Sequence, residues 1–372
     1  MQRITTLILS CILLTILVAC SSTKEENREA TTSKAAIPTQ KLKALIIDGQ
    51  NNHGVFPLTT ILMGDYLKET GLFTVDYART VYIWQGPHFD QEALGVKAEN
   101  AAILLEKYPL PNDQKTTVVA EPRMDSTFSP DFAAYDVVVS NLGWKAADWP
   151  EQTKANFEQY MEDGGGLVVV HAANNSFGDW EAYNKMIGLG GWGGRDVNSG
   201  PYVYYNDAGE RIDDPVAGPC GSHGPQQDYV MTTRSPEHPI MRGLPEKWLH
   251  VYDELYDRLR GPAENMTVLA TAYSDKVKNG PPWNKEVSGT GRHEPLLMAI
   301  NYGQGRVFHS GMGHMGTSME CVGFMTTFQR GAEWAATGKV TQAVPADFPT
   351  ETATATRVWK GRVALGEDES VK

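Results

Sequence analysis

Gly164-Gly165-Gly166-Leu167-Val168-Val169-Val170-His171-Ala172 is the stretch on which the fold turns. A glycine break leads into four apolar residues, three of them β-branched, and the run ends at a polar residue. A short apolar run bounded in this way reads as a strand buried on both faces. Upstream, residues 150–163 carry a helical pattern that opens at Pro150, a residue suited to a first helical turn, and stops at the glycines. Tyr135-Asp136-Val137-Val138-Val139-Ser140 repeats the strand signature. So does Leu42-Lys43-Ala44-Leu45-Ile46-Ile47-Asp48-Gly49. A helical pattern over 57–70 follows, with Leu58, Ile61, Leu62, Tyr66 and Leu67 on one face and Gly71 at its end. Phe73-Thr74-Val75-Asp76-Tyr77 is the next strand. This alternation predicts an α/β fold, a parallel sheet with helices on both faces.

Outside that frame the pattern loosens. Residues 79–130 predict a helix around 91–107 and a long loop. Residues 188–224, dense in Gly, Tyr and Asp, predict a long inserted loop or lid. Strands are expected at 228–232, 249–255, 266–272, 296–301 and 305–310, with a closing helix at 319–336. The tail after Gly338 offers no clear element, and no internal repeat is visible.

The N-terminus combines Arg3 with an apolar run ending in Leu17-Val18-Ala19-Cys20, too short to span a bilayer and suited to a secretion signal. Four segments follow: a signal peptide at 1–19, a flexible tether at 20–40, the main domain at 41–338 and a C-terminal extension at 339–372. The ending at Cys20 resembles a bacterial lipobox. Ser21-Ser22-Thr23-Lys24-Glu25-Glu26 resembles the export signal of surface lipoproteins. These resemblances imply lipidation at Cys20, membrane association through that anchor, and a place in the bacterial cell envelope, with the outer membrane favoured. Cys20→Ala should then release the protein from membranes; unchanged fractionation, with no lipid mass on the wild-type N-terminal peptide, is the contrary result. A net charge of −12 without any basic block argues against a nucleic-acid partner. The sequence sets no oligomeric state.

Ligands of open parallel sheets bind beyond the carboxyl ends of the strands. Asn51, Asn52 and His53 follow the first strand, Asn141 and Trp144 the third, and His171, Asn174 and Asn175 the fourth. His309 and His314 lie at and after the last. Imidazole is costly to bury unsatisfied, so histidines at three strand ends predict a functional pocket. Trp144, Trp149, Trp180, Trp192, Tyr202, Tyr204 and Tyr205 enrich the region, and aromatic rings stack on the apolar faces of sugars. Trp180 and Tyr183, at helical spacing, suit the core; Trp192 and the Tyr202 cluster suit a sugar platform.

Several motifs occur in order over roughly residues 42–338. They are Asn52-His53, Tyr135-Asp136-Val137-Val138, Gly164 to Ala172, Trp180-x-x-Tyr183-x-x-Met186-Ile187-Gly188, Glu237-His238-Pro239-Ile240, Asp253-Glu254-Leu255-Tyr256 and Tyr302-Gly303-Gln304-Gly305-Arg306-Val307-Phe308-x-x-x-x-Gly313-His314. Together they resemble the ThuA-like (trehalose utilisation) family, whose flavodoxin-like fold is similar to class I glutamine amidotransferases. The resemblance implies an enzyme acting on a disaccharide, a glycoside or its 3-keto derivative by hydrolysis, elimination or isomerisation. A non-catalytic sugar-binding lipoprotein is the other reading. Amidotransferases carry a nucleophilic cysteine at the turn where this chain has Val170-His171-Ala172-Ala173, so thiol chemistry is not expected.

The residues then divide by role. His171 and Glu254 are the expected acid/base pair, since imidazole titrates near neutrality and Glu254 lies in a family motif. His53, Asn52, Asn174, Trp192, His223 and His314 are expected to bind the substrate. His223 matches its family region imperfectly, because Gly224 stands where a proline is usual. His238, before Pro239, reads as structural. Asp228 and Asp253 are the weak candidates for a second carboxylate beside Glu254. No cofactor is required, although the histidines and Glu254 are compatible with a divalent metal; no pair has His-x-x-x-His spacing. Cys220 and Cys321 are either one disulfide or two thiols.

Overall fold

A computed structural model describes residues 40–84, 86, 92–93, 96–97, 101–112 and 114–363. They belong to one compact unit, Pro38–Lys372. The Cys20 motif and the tether before residue 40 lie outside the described residues. No helix among those described is long and apolar enough to cross a membrane.

The strands of the main sheet are β1 (Leu42–Asp48), β2 (Phe73–Arg79), β3 (Val137–Ser140), β4 (Gly166–Val170), β5 (Tyr202–Tyr205), β6 (Arg211–Asp214), β7 (Gln227–Thr233), β8 (Lys247–Asp253), β9 (Met266–Tyr273), β10 (His293–Tyr302) and β11 (Gly305–Ser310). They form one sheet in the order β8-β7-β9-β10-β11-β4-β3-β1-β2, with β5 paired to β10 and β6 to β5. Pairing is parallel from β11 through β4, β3 and β1 to β2. The principal helices are α1 (Phe56–Glu69), α2 (Ala101–Lys107), α3 (Glu151–Glu162), α4 (Glu181–Ile187) and α5 (Val322–Thr337).

Helices cover both faces, as adjacent residues of β11 show. Phe308 packs against Gly331 of α5, where a Cβ would lie 2.1 Å from the ring. The next residue, His309, turns to the other face, and its Nδ1–H donates to the Ile187 carbonyl at the end of α4 (2.8 Å). Strand alternation thus splits consecutive side chains between two layers.

The expectation of a wholly parallel sheet fails beyond β11. Gly303 and Gln304 join β10 to β11, and a two-residue link permits only an antiparallel hairpin. Gly303 has φ +54°, a conformation open to glycine. Antiparallel pairing continues through β9, β7 and β8. Four reversals bring β8 back to the direction of β11, so its carboxyl end reaches the same edge as those of β1, β3 and β4.

Three other expectations change. Residues 188–224 are not a free lid: β5 and β6 form a hairpin, and Tyr205 pairs with His293 of β10. Of the helix expected around 91–107, the described residues show Ala101–Lys107, whereas Glu92–Ala93 pairs antiparallel with Val96–Lys97. Gly95 in the sequence disfavours a continuous helix there. The boundary at residue 338 is not a structural one. Leu249 N–H donates to Thr350 O (2.8 Å), while Trp359 is buried, stacks on Tyr108 and donates its indole N–H to Asp65 (3.0 Å).

Candidate active site

The parallel strands deliver their polar ends to one edge of the sheet. After β1, the Asn51 side chain clamps the turn: its Nδ2 donates to Asn141 O (3.2 Å) and Leu142 O (3.1 Å), and its Oδ1 accepts from His53 N (2.9 Å). Asn52 Oδ1 accepts from Trp144 N (2.8 Å), tying the β1 and β3 loops together. β4 ends in a 3-10 turn, His171–Asn175, and His171 has φ +46°. That left-handed conformation is strained for a residue with a Cβ, and such strain gathers at functional sites. The His171 Nδ1–H donates to Gly311 O at 2.9 Å, leaving Nε2 as the ring's lone-pair nitrogen.

Glu254, next after β8, meets these loops. Its Oε2 lies 3.5 Å from His171 Nε2, and its Oε1 lies 3.3 Å from His314 Nε2 and 3.5 Å from His223 Nδ1. His53 completes the group, with ring centroids 5.5 Å from His171 and 4.7 Å from His314. Candidate ligand atoms of His53, His171, Glu254 and His314 all lie within 4.8 Å of one another. His171 Nε2 and Glu254 Oε2 are buried without a hydrogen-bond partner.

A buried carboxylate holds this arrangement in place. Asp253 accepts from the backbone N–H groups of Glu254 (2.9 Å), Gly313 (2.7 Å) and His314 (3.1 Å) and from His250 Nε2 (2.8 Å). Burial raises the Asp253 pKa, but His250 and these donors outweigh it and hold the carboxyl below its usual range. Burial opposes the charge on His250 too, yet the Cys321 sulfur and Asp253 push its pKa up to about 10.

Above the cluster opens a cavity of about 450 Å³ lined by Asn52, His53, Trp144, Asn175, Trp192, His223, Glu254, Tyr256 and Trp283. Burial, then the Glu254 carboxylate, lift the Tyr256 phenol well above its ordinary range, so it stays a neutral donor. His223 Nδ1–H donates to Gly224 O (2.7 Å), and its ring meets Trp283 edge-on at 4.7 Å. An ion-sized void of about 10 Å³ lies against His53, His171 and His314. A second cleft of about 560 Å³, at the amino ends of β3 and β4, is lined by no histidine, lysine or arginine.

The structure therefore brings together His53, Asn52, His171, Trp192, His223, Glu254 and His314, and it corrects several roles. His171 and Glu254 cannot straddle a glycosidic bond: they are 3.5 Å apart, with side chains only 3 % and 10 % exposed. The His171 ring is buried and packs on Tyr256, with centroids 4.2 Å apart. Asn174 is not at the cavity; its amide meets His309 Nε2 at 3.0 Å in the core. Burial lowers the His309 pKa to about 4, so that ring is a neutral strut. Tyr202 is buried beneath the Arg260 guanidinium, and Tyr204 and Tyr205 stack with Arg292 and Arg234, away from the cavity lining. Asp228 caps Tyr252 N–H and Asp253 is a backbone clamp, so neither is a second catalytic carboxylate. His238 is structural, its pKa lowered to about 4 by burial and Arg242. Cys220 and Cys321 are both free thiols. Trp283 and Gln226 were not singled out by sequence: each lies in a loop whose pattern carries no period.

The sequence profile of the ThuA family, described as trehalose utilisation, matches residues 81–335. A crystal structure of a ThuA-like protein from Parabacteroides merdae is 40 % identical, covers 86 % of this chain and 98 % of its own, and superposes with a TM-score of 0.67. A ThuA-like protein from Bacteroides uniformis is 17 % identical over 83 % of this chain and 96 % of its own, with a TM-score of 0.47. No curated protein matches.

Proposed function

We propose that this chain, which belongs to the ThuA family, is a carbohydrate-active enzyme that holds one small sugar or glycoside in the aromatic cavity and acts on it at the Glu254 floor. The observation that carries this reading is the composition of one cavity. Trp144, Trp192 and Trp283 supply ring faces, and Asn52, Asn175, His223 and Glu254 supply groups for hydroxyls. A volume of about 450 Å³ suits a small ligand. His223 takes the proton-transfer role first given to His171. Its Nδ1–H is committed to Gly224 O, which leaves Nε2 as the basic atom of a half-buried ring on the cavity wall. Hydrolysis, elimination or isomerisation of a glycoside or its 3-keto derivative are the reactions such a group serves. Residues 1–20 support a place at the bacterial envelope for this activity.

The test is incubation with a panel of disaccharides and their 3-keto derivatives, following product release. Trp192→Ala should weaken substrate binding about tenfold, as loss of one stacking face implies. Binding without turnover across the panel would favour a sugar-capture protein. Neither binding nor turnover would remove the carbohydrate reading.

A further inference from the structure

We infer that His53, His171, Glu254 and His314 together hold one divalent first-row metal ion at the floor of the cavity. The inference rests on the proposed function only for where a substrate sits; the metal site stands on its own geometry.

The distances carry the argument. Glu254 lies 3.5 Å from His171 Nε2 and 3.3 Å from His314 Nε2. These separations are longer than a good charge-assisted hydrogen bond, which falls at about 2.7–2.9 Å. They match the spacing between neighbouring ligands on one ion: bonds of about 2.0–2.1 Å in a tetrahedron put ligand atoms about 3.4 Å apart. The four candidate atoms fall within one 4.8 Å span, from four loops of the same sheet edge.

Satisfaction points the same way. His171 Nε2 and Glu254 Oε2 are buried without a partner, a costly condition for an imidazole nitrogen and a carboxylate oxygen. A cation between them satisfies both. The supporting contacts are those that metal-bound histidines require, in which the second ring nitrogen donates to an oxygen and fixes the tautomer. His171 does so to Gly311 O, and His314 Nδ1 lies against the Gln226 side-chain amide, whose oxygen can take that place by an amide flip. Asp253 fixes the backbone on both sides of the set through Glu254, Gly313 and His314.

Three imidazoles and a carboxylate suit zinc and its first-row neighbours rather than calcium or magnesium. Glu254 and His53 also line the cavity, so the ion would face a bound sugar, which could reach it only as a fifth ligand. Glu254 and His171 then act as ligands, and His223 stays outside the set on the cavity wall.

The test needs no sugar. Purified full-length protein is analysed for metal content, stripped with chelator, and titrated with ZnCl2 or MnCl2 by calorimetry. One equivalent of either ion, bound tighter than about 10 μM, is expected. His171→Ala and His53→Ala should weaken it at least 100-fold, whereas His293→Gln, outside the cluster, should not. If His171→Ala fails to fold, Glu254→Gln supplies the same readout. Absence of tight binding in folded wild-type protein, or equal affinity in the cluster variants, would overturn the site. Sugar binding to the metal-loaded protein is measured separately. One bound metal without sugar binding removes the carbohydrate reading alone, and sugar binding without metal removes the metal site alone.

Discussion

Glu254→Gln is expected to lower turnover about 10²–10⁴-fold, the loss typical of removing an acid/base or charge-stabilising group. The substitution keeps the volume of the side chain and changes its charge. Glu254 stands within 3.5 Å of His171, His223 and His314, so the change falls where the three rings meet. Its Oε2 has no hydrogen-bond partner to lose, so the stability of the chelator-stripped protein should move by less than about 1 kcal/mol. The measurement is kcat on the best substrate of the panel beside a thermal melt. Wild-type kcat in a folded Glu254→Gln variant would exclude Glu254 from the chemistry. A large fall in the melting temperature of the chelator-stripped protein would reassign it to the scaffold.

The second large effect falls on stability. Asp253→Ala should destabilise the protein by about 3–5 kcal/mol, because it strands a buried charge. Asp253 is fully buried and accepts from His250 and three backbone N–H groups. Its loss takes the carboxylate from the buried His250, leaving only the Cys321 sulfur beside it, and frees the backbone next to Glu254 and His314, so turnover should fall as well. His250, with Cys321 and Asp253 beside it, predicts a pH signature. His250 has its folded pKa raised from 6.5 to about 10, so its contribution is full below pH 6.5 and is lost as pH rises towards 10. Urea melts at rising pH should show wild-type stability declining through that window. Asp253→Ala should flatten the decline, and an equal slope in both proteins would assign the effect elsewhere.

The readings that survived are those set by local chemistry. Apolar runs bounded by glycine, such as Gly166 to Val170, marked the parallel strands, and the turns after them marked His53, His171 and the neighbouring asparagines. What failed was orientation. Asn174 and His309 carried the same strand-end signal as His171 and His314, yet their side chains meet each other in the core. Residues one apart in a turn face different layers, and nothing in their types reveals which. The tyrosines of β5 matched a sugar platform by composition, but Arg260, Arg292 and Arg234 occupy their ring faces.

By itself the sequence determined the family, the α/β frame, and the residue types available for chemistry, because strand and helix periods are short-range properties. Only the tertiary structure decided that four residues from positions 53, 171, 254 and 314 share one 4.8 Å span. No spacing rule joins them, since each arrives on a separate loop. Their meeting depends on the order of the strands and on four antiparallel reversals that return β8 to the edge where β1, β4 and β11 end. The same convergence changed the chemistry: a pair expected to flank a substrate is packed too closely to admit one. Distance between side chains is a property of the folded chain, and here it separates a ligand set from an acid/base pair.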